Sequence, residues 1–336
     1  MFGKSYHGRA AVAAATIALA APAALRAQDT DTDIVRQIEM LARENAPLYL
    51  GPITHGVSAA LNRGAFYSAE PHGALGFDIG IAAMAAWVPG FDDAFTPTLP
   101  EQVTYDGRTF DDPYGTSAPS TPTVSGDGDG AVIQPGPELA AAAVAAGQDP
   151  SDLAIPFPRG LEVPLVPFAV VQAAVGLPGG TEVSLRGFPA VEVHEEVGAI
   201  GALGVGVTHS ISQYLPVPVL DLSAHVSWQS ANVGDYLDAD VIGYGLIAGA
   251  DAGLLSAFVA AVREHPEVTI GYTVSNPTGN PALPRDGLRV AAAPDMEAVN
   301  RFTAGATLNL IPFKLSGAWT SGDYQAVAIK ALVSIR

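Results

Sequence analysis

The chain has 336 residues, and 34 acidic side chains against 16 basic ones give it a formal charge of −18. An acid excess of this size excludes non-specific nucleic-acid binding, because phosphate contacts need Lys and Arg. The absence of cysteine excludes a disulfide scaffold, a thiolate metal site, a Cys nucleophile and a Cys-linked lipid anchor.

Lys4 and Arg9 precede an almost wholly apolar stretch from Ala10 to Leu25, which ends at Leu25-Arg26-Ala27 and the acidic run Asp29 to Asp33. Basic, apolar, small and then polar is the order of a secretory signal peptide. The stretch is shorter than the ~20 residues that span a bilayer, and Pro22 interrupts it. The sequence therefore predicts a leader over residues 1 to 27, cleaved after Ala27. Removing its three bases takes the formal charge to −21.

Asp29 to Asn45 reads as a short N-terminal helix, with Ile34, Ile38, Leu41 and Ala42 at helical spacing and acid at the favoured end. Residues 28 to 58 are thus expected to form a helical periplasmic segment that caps the barrel's periplasmic mouth, enters the barrel or hangs as a loose arm. Residues 59 to 336 are expected to form the barrel itself.

Two strands are predicted between Leu61 and Trp87. In one of them Leu75, Phe77, Ile79 and Ile81 alternate with Gly76, Asp78, Gly80 and Ala82. Residues 89 to 160 then break the pattern with Pro, Gly, Ser, Thr and Asp, including Gly126-Asp127-Gly128-Asp129-Gly130. Such a stretch is either a long outer loop or a constriction folded into the lumen. If a constriction, its acids would select cations. The Gly-Asp repeat lacks the spaced ligands and terminal Glu of an EF-hand, so no metal site is assigned.

From about Gly160 onward period-two alternation returns. Leu220 to Gln229 places Leu, Leu, Ala, Val and Trp on one face and Asp221, Ser223, His225, Ser227 and Gln229 on the other. The pattern recurs at Glu182 to Arg186, at Glu267 to Val274, at Phe313 to Thr320 and at Val327 to Ile335. Pro178-Gly179-Gly180, Leu215-Pro216, Asn276 to Pro281 and Ser321-Gly322-Asp323 supply the turns. Many segments run to roughly 8–14 residues, against about 5–6 for a soluble strand and about 9–11 for a tilted membrane strand. The fold expected is all-β: an antiparallel transmembrane β-barrel of roughly 12–14 strands with a short N-terminal helix, in the outer membrane. A secreted sandwich or propeller alternates too, but its outward faces would be less apolar.

On the polar faces Glu182, Arg186, Asp221, His225 and Lys314 are the candidates for lining or plugging the lumen. Arg at Leu222 or Val226 is expected to be costly, and Arg at Ser223 to be tolerated. His194-Glu195-Glu196 lacks zinc-protease spacing; His209 and Ser210 point to opposite faces, and His225 lies too far from Ser223 and Ser227 on its own strand for a nucleophile–base bond, which leaves only a cross-strand pair. No phosphate loop or dinucleotide fingerprint is present. The expectation is a non-enzyme without cofactor.

Three segments carry a family resemblance: Asn62 to His72 running into Gly76-Phe77-Asp78, Leu177 to Arg186, and Gly204 to Pro216. They resemble an uncharacterised family of bacterial outer-membrane β-barrels, a domain of unknown function. The layout of a helix ahead of a barrel is similar to that of fatty-acid-transport barrels. The chain departs from the commonest barrel ending by finishing Ile335-Arg336 rather than in an aromatic residue. The resemblance implies outer-membrane lipid and the barrel-assembly machinery as partners. The barrel reading leaves a channel or transporter for small or hydrophobic solutes as the expected function, with a structural or secretion-associated barrel as the alternative and a barrel enzyme as a remote one.

Overall fold

The computed structural model describes residues 31–194, 198–215, 220–234, 236–274 and 288–335. The leader with its cleavage at Ala27, Glu195-Glu196 and the Asn276–Pro281 turn lie outside the described residues.

A helix, α1 (Asp31–Leu61), precedes eleven strands of one antiparallel sheet. They are β1 (Phe77–Trp87), β2 (Leu165–Leu177), β3 (Thr181–His194), β4 (Gly198–Ser210), β5 (Asp221–Val233), β6 (Leu237–Asp251), β7 (Leu255–Val274), β8 (Leu288–Ala292), β9 (Val299–Leu310), β10 (Phe313–Ser321) and β11 (Ala326–Ile335). β1 pairs with β2 on one side and with the last strand, β11, on the other, which closes the sheet into a barrel. Ten positions make up the ring rather than 12–14. β8 and β9 share one of them, because both pair with the 20-residue β7, at Ile270–Val274 and Leu255–Glu264. Only one of the two strands expected between Leu61 and Trp87 forms, since residues 62–76 enter the interior instead.

The two ends of the barrel differ. At one end lie the start of β1, the end of β11 and short turns such as Pro178–Gly180 and Ile311-Pro312. At the other lies the long 88–164 connection. β1 turns Phe77, Ile79, Ile81 and Ala83 outward and buries Asp78, Ala82, Met84 and Ala86. β5 does the same with Val226 and Trp228 outside and Ser223, His225, Ser227 and Gln229 inside. Trp87, Phe302 and Trp319 stand exposed towards the long-loop rim, with Phe77 and Phe313 at the other.

The alternation reverses where strands run past this band. On β7, Ala257, Val259 and Ala261 face out, but so do Arg263, His265, Glu267 and Thr269, while Val262, Val268 and Ile270 are buried. Asp238 and Asp240 on β6 likewise face out, opposite buried Leu237, Ala239 and Val241. Val268 and Ile270 therefore point inward and Glu267 and Thr269 outward, the reverse of an apolar-out, polar-in membrane strand. The reason is that the interior at this level is filled by helix rather than by water.

Candidate functional site

The lumen is occupied by the chain's own N-terminal part. α1 was expected to stop near Asn45 but continues through Pro47 and Pro52 to Leu61. A proline inside a helix costs a hydrogen bond. Burial of Ala46, Tyr49, Leu50, Ala59, Ala60 and Leu61 offsets that loss. Its last turns, through Ile53, Val57 and Leu61, pack into an apolar inner wall built from Ala82, Met84, Val170, Ala202, Val241 and Val268. Gly56 lies directly on β2: a methyl there would sit 2.5 Å from Val166.

Below Leu61 the inner wall turns polar, and residues 62–76 thread through it as an extended plug. Two anchors hold it. At the first, Glu264 of β7 accepts from Asn62 (2.7 Å) and from Arg301 (2.9 Å) and pairs with Arg63. All three charged side chains are at most 6 % exposed. Ser227 donates to Asn62 at 2.9 Å. At the second, the backbone N–H and the Nδ1 of His72 meet Glu182 at 3.0 and 2.6 Å, while its Nε2 lies 3.5 Å from Asp78. Between the anchors the plug's carbonyls accept from the wall: Tyr67 from Thr307 (2.8 Å) and Ala69 from Ser223 (2.5 Å). Lys314 and Lys330 both reach the ring of Tyr67, with their ammonium groups 5.0 and 4.9 Å from its centroid. A cation over an aromatic face is stabilised by the ring quadrupole. The plug backbone rests on Gly176, where a Cβ would meet the carbonyls of Gly73 and His72 at 2.1 and 2.4 Å.

The wall has a break between β2 and β3. Their pairing runs from Leu177↔Thr181 to Val171↔Gly187 and stops there, although β2 reaches back to Leu165 and β3 on to His194. Gly187 at φ +145° bends β3 away. Three steps on β3 (Phe188 to Val191) then face two on β4 (Ala202 to Ile200), a β-bulge that carries Pro189. Pro has no N–H to offer a neighbouring strand. Phe168 and Phe188 lean across the inner side of the break, ring centroids 6.2 Å apart. A cavity of about 530 Å³ opens here, lined by Val171, Leu185, Phe188 and Leu203, with Gln172 and Arg186 also in its lining.

The 88–164 connection is a long loop with structure of its own at one rim of the barrel. It folds over the entry of α1 with small cores of its own, such as Tyr105, Phe110, Leu139, Ala143 and Leu153. Asn45 and Thr98 exchange two hydrogen bonds (2.9 and 2.8 Å), and Tyr49 donates to the carbonyl of Arg159 at 2.9 Å. Tyr324, in the β10–β11 turn, donates to Asp92; burial and that carboxylate raise its pKa. In the Gly-Asp repeat the glycines permit backbone contact: a Cβ on Gly126 or Gly130 would lie 1.9 Å from the carbonyl of Asp93 or Phe157. Asp127 and Asp129 point to solvent.

A closed barrel filled by a helix and an extended plug is the architecture to be compared. A family model matches residues 8–335. The chain belongs to DUF6588, a family of unknown function. No curated protein matches its sequence. Among solved structures it is similar to the Ralstonia pickettii toluene transporter TbuX, at 9 % identity and a TM-score of 0.27, over 78 % of this chain and 89 % of that one. It is also similar to a mutant of Rh. blastica porin, at 10 % identity and a TM-score of 0.18, over 50 % of this chain. The chain spans about half of the porin's length, 55 %.

In this DUF6588 chain the predicted lumen residues all lie on inward faces, yet they meet the plug rather than an open bore. Glu182 holds His72. Arg186 donates to the carbonyls of Arg63 and Leu61 at 2.8 and 3.3 Å. His225 shares a hydrogen bond with Thr208 (2.9 Å) and meets Phe66 edge-on. Lys314 donates to the Tyr67 hydroxyl at 3.2 Å. Asp221 shares the face of Ser223 and is half-buried near the short-turn rim. His209 lies apart from these, bonded to Thr181 and Tyr214. The sequence reading missed Arg63, His72, Asp78, Glu264, Arg301 and Lys330. Lys330 carries the signal that was available, a lone charge among strand apolars.

Proposed function

We propose that this chain is an outer-membrane β-barrel that handles small apolar or amphipathic solutes, with its lumen kept shut by its own N-terminal segment. The observation that carries the reading is the plug. A barrel whose outward band is apolar from Phe77 to Trp87 has an 11-residue strand, within the about 9–11 residues that cross hydrocarbon. Its interior, by contrast, is filled with paired charges bound to residues 62–76. This favours a gated or wall-side route over a permanently open aqueous bore. One of the three segments through which the family resemblance is read, Asn62 to His72, belongs to the plug.

The test has two parts. Mature protein should fractionate with outer membranes, resist alkaline carbonate and migrate differently on gels before and after heating. Recovery as a soluble species refutes the membrane reading. Wild-type protein in planar bilayers should show no steady conductance; a constant open-channel current refutes the plug as a closure. A purely structural barrel is the second reading, favoured by how many of the plug's polar groups are bonded. It predicts silence in every variant.

A further inference from the structure

We infer that the break between β2 and β3 is a binding site for a single-chain anionic amphiphile, entered sideways from the membrane, with Arg186 and Gln172 as its head-group pocket. This rests on the membrane reading above and names the ligand class.

The first observation is the placement of the break. Along β1 the unpaired part of β2 runs from the level of Ala82, in the middle of the apolar band, to that of Trp87 at its rim. An unpaired strand edge strands backbone donors and acceptors where no water reaches them, which membrane barrels avoid by closing. Here Gly187, the bulge and Pro189 act together to keep the edge open.

The second is the chemistry of the opening. Its outer part is apolar, with Val171, Leu185 and Leu203 facing outward. Its inner part holds Gln172 and Arg186, which face each other across the β2–β3 pair as the next register step below or beside the last bonded one. Both are buried, at 1 % and 3 % exposure. Gln172 Oε1 and Arg186 Nε have no hydrogen-bond partner. Among the described residues no carboxylate pairs with Arg186; its Nη atoms bond the carbonyls of Arg63 and Leu61 and the sulfur of Met84. A buried guanidinium without a counter-ion is costly. An acidic head group would supply that counter-ion through a charge-assisted hydrogen bond, and the Gln172 amide can turn its N–H₂ toward the same oxygens.

The third is the boundary on which the opening gives. The inner wall changes there from the apolar zone that holds α1 to the polar zone that holds the plug. Arg186 bonds the carbonyls of Leu61 and Arg63, the junction of helix and plug. A head group on Arg186 competes with those bonds, so occupancy of the wall site loosens the plug.

The test uses full-length protein in zwitterionic-lipid nanodiscs, with dansylundecanoic acid and its methyl ester as probes. Wild type should bind the acid at least about tenfold more tightly than the ester, as expected for a hydrogen bond to a charged group. Arg186→Gln should abolish the preference. Because that change also touches the plug, Leu203→Trp and Ala173→Trp fill the opening from the outer face and should weaken acid and ester alike. Equal binding of both probes to wild type, or unchanged binding in the two Trp variants, overturns the site. No binding above empty nanodiscs by a barrel that still shifts on heating overturns the site alone. Loss of the heat shift in wild type overturns the membrane reading beneath it.

Discussion

Glu264→Gln is the sharpest single perturbation of the plug. The substitution keeps the shape of the side chain and removes its charge. In the closed state Glu264 faces two buried guanidiniums, Arg63 on the plug and Arg301 on the wall. Removing one partner of a buried ion pair leaves an uncompensated charge and costs about 3–5 kcal/mol. That cost falls mainly on the docked plug, because once residues 62–76 leave, Arg63 regains water. A loss of about 4 kcal/mol multiplies the undocked population by roughly a thousandfold. In planar bilayers Glu264→Gln should therefore show transient openings that wild type lacks, while the barrel itself still migrates as a folded species before heating. Adding Arg63→Met removes the stranded plug charge and should reduce the openings. If Glu264→Gln is as silent as wild type, and trypsin still fails to cut after Arg63, the anchor does not hold the plug and the reasoning fails.

Val226→Arg places a charge on the outward face of β5 and should cost about 2–4 kcal/mol if that position is mid-membrane, read from denaturant midpoints in lipid vesicles. An unchanged midpoint would place Val226 in water. Ser223→Arg, expected from the alternation alone to be tolerated, should instead be disruptive, since Ser223 is fully buried against the Ala69 carbonyl; wild-type resistance to trypsin in that variant would contradict the packing. Gly176→Ala pushes a methyl into the carbonyls of Gly73 and His72 and should speed tryptic cleavage after Arg63 without altering the heat shift. N-terminal sequencing of exported protein should begin at Gln28, and a start at Met1 would refute the leader.

The barrel was legible because a strand has only two faces. Once Leu222, Val226 and Trp228 are set outward, Ser223 and His225 must point inward. The reading went astray where that rule was applied without regard to depth. Past the band, β6 and β7 turn charges outward and apolar side chains toward α1, so Glu267 and Val268 do not follow the polar-in rule. The plug was visible only as an unexplained run, Asn62 to His72, because its order comes from partners far away in sequence, such as Glu264, Thr307 and Ser223. The helix was cut short at Asn45 because Pro47 signals an end locally, whereas burial inside the barrel carries it on to Leu61. Gly187-Phe188-Pro189 lies just past the alternating run Glu182 to Arg186, and a glycine and a proline two residues apart are the local marks of a strand that leaves its neighbour.

The central claim is a membrane-embedded barrel shut by residues 62–76, and the absence of cysteine permits a direct measurement of both halves. Ala65→Cys reports on the plug, where the side chain is 5 % exposed, and Val226→Cys on the outward face, where it is 48 % exposed. Each is treated in native membranes with a water-soluble and with a lipid-soluble maleimide. The account predicts that Val226→Cys reacts only with the lipid-soluble reagent and that Ala65→Cys reacts with neither until the protein is unfolded. Rapid labelling of Ala65→Cys by the water-soluble reagent would mean an open lumen, and the same result at Val226→Cys would mean that the band does not face lipid.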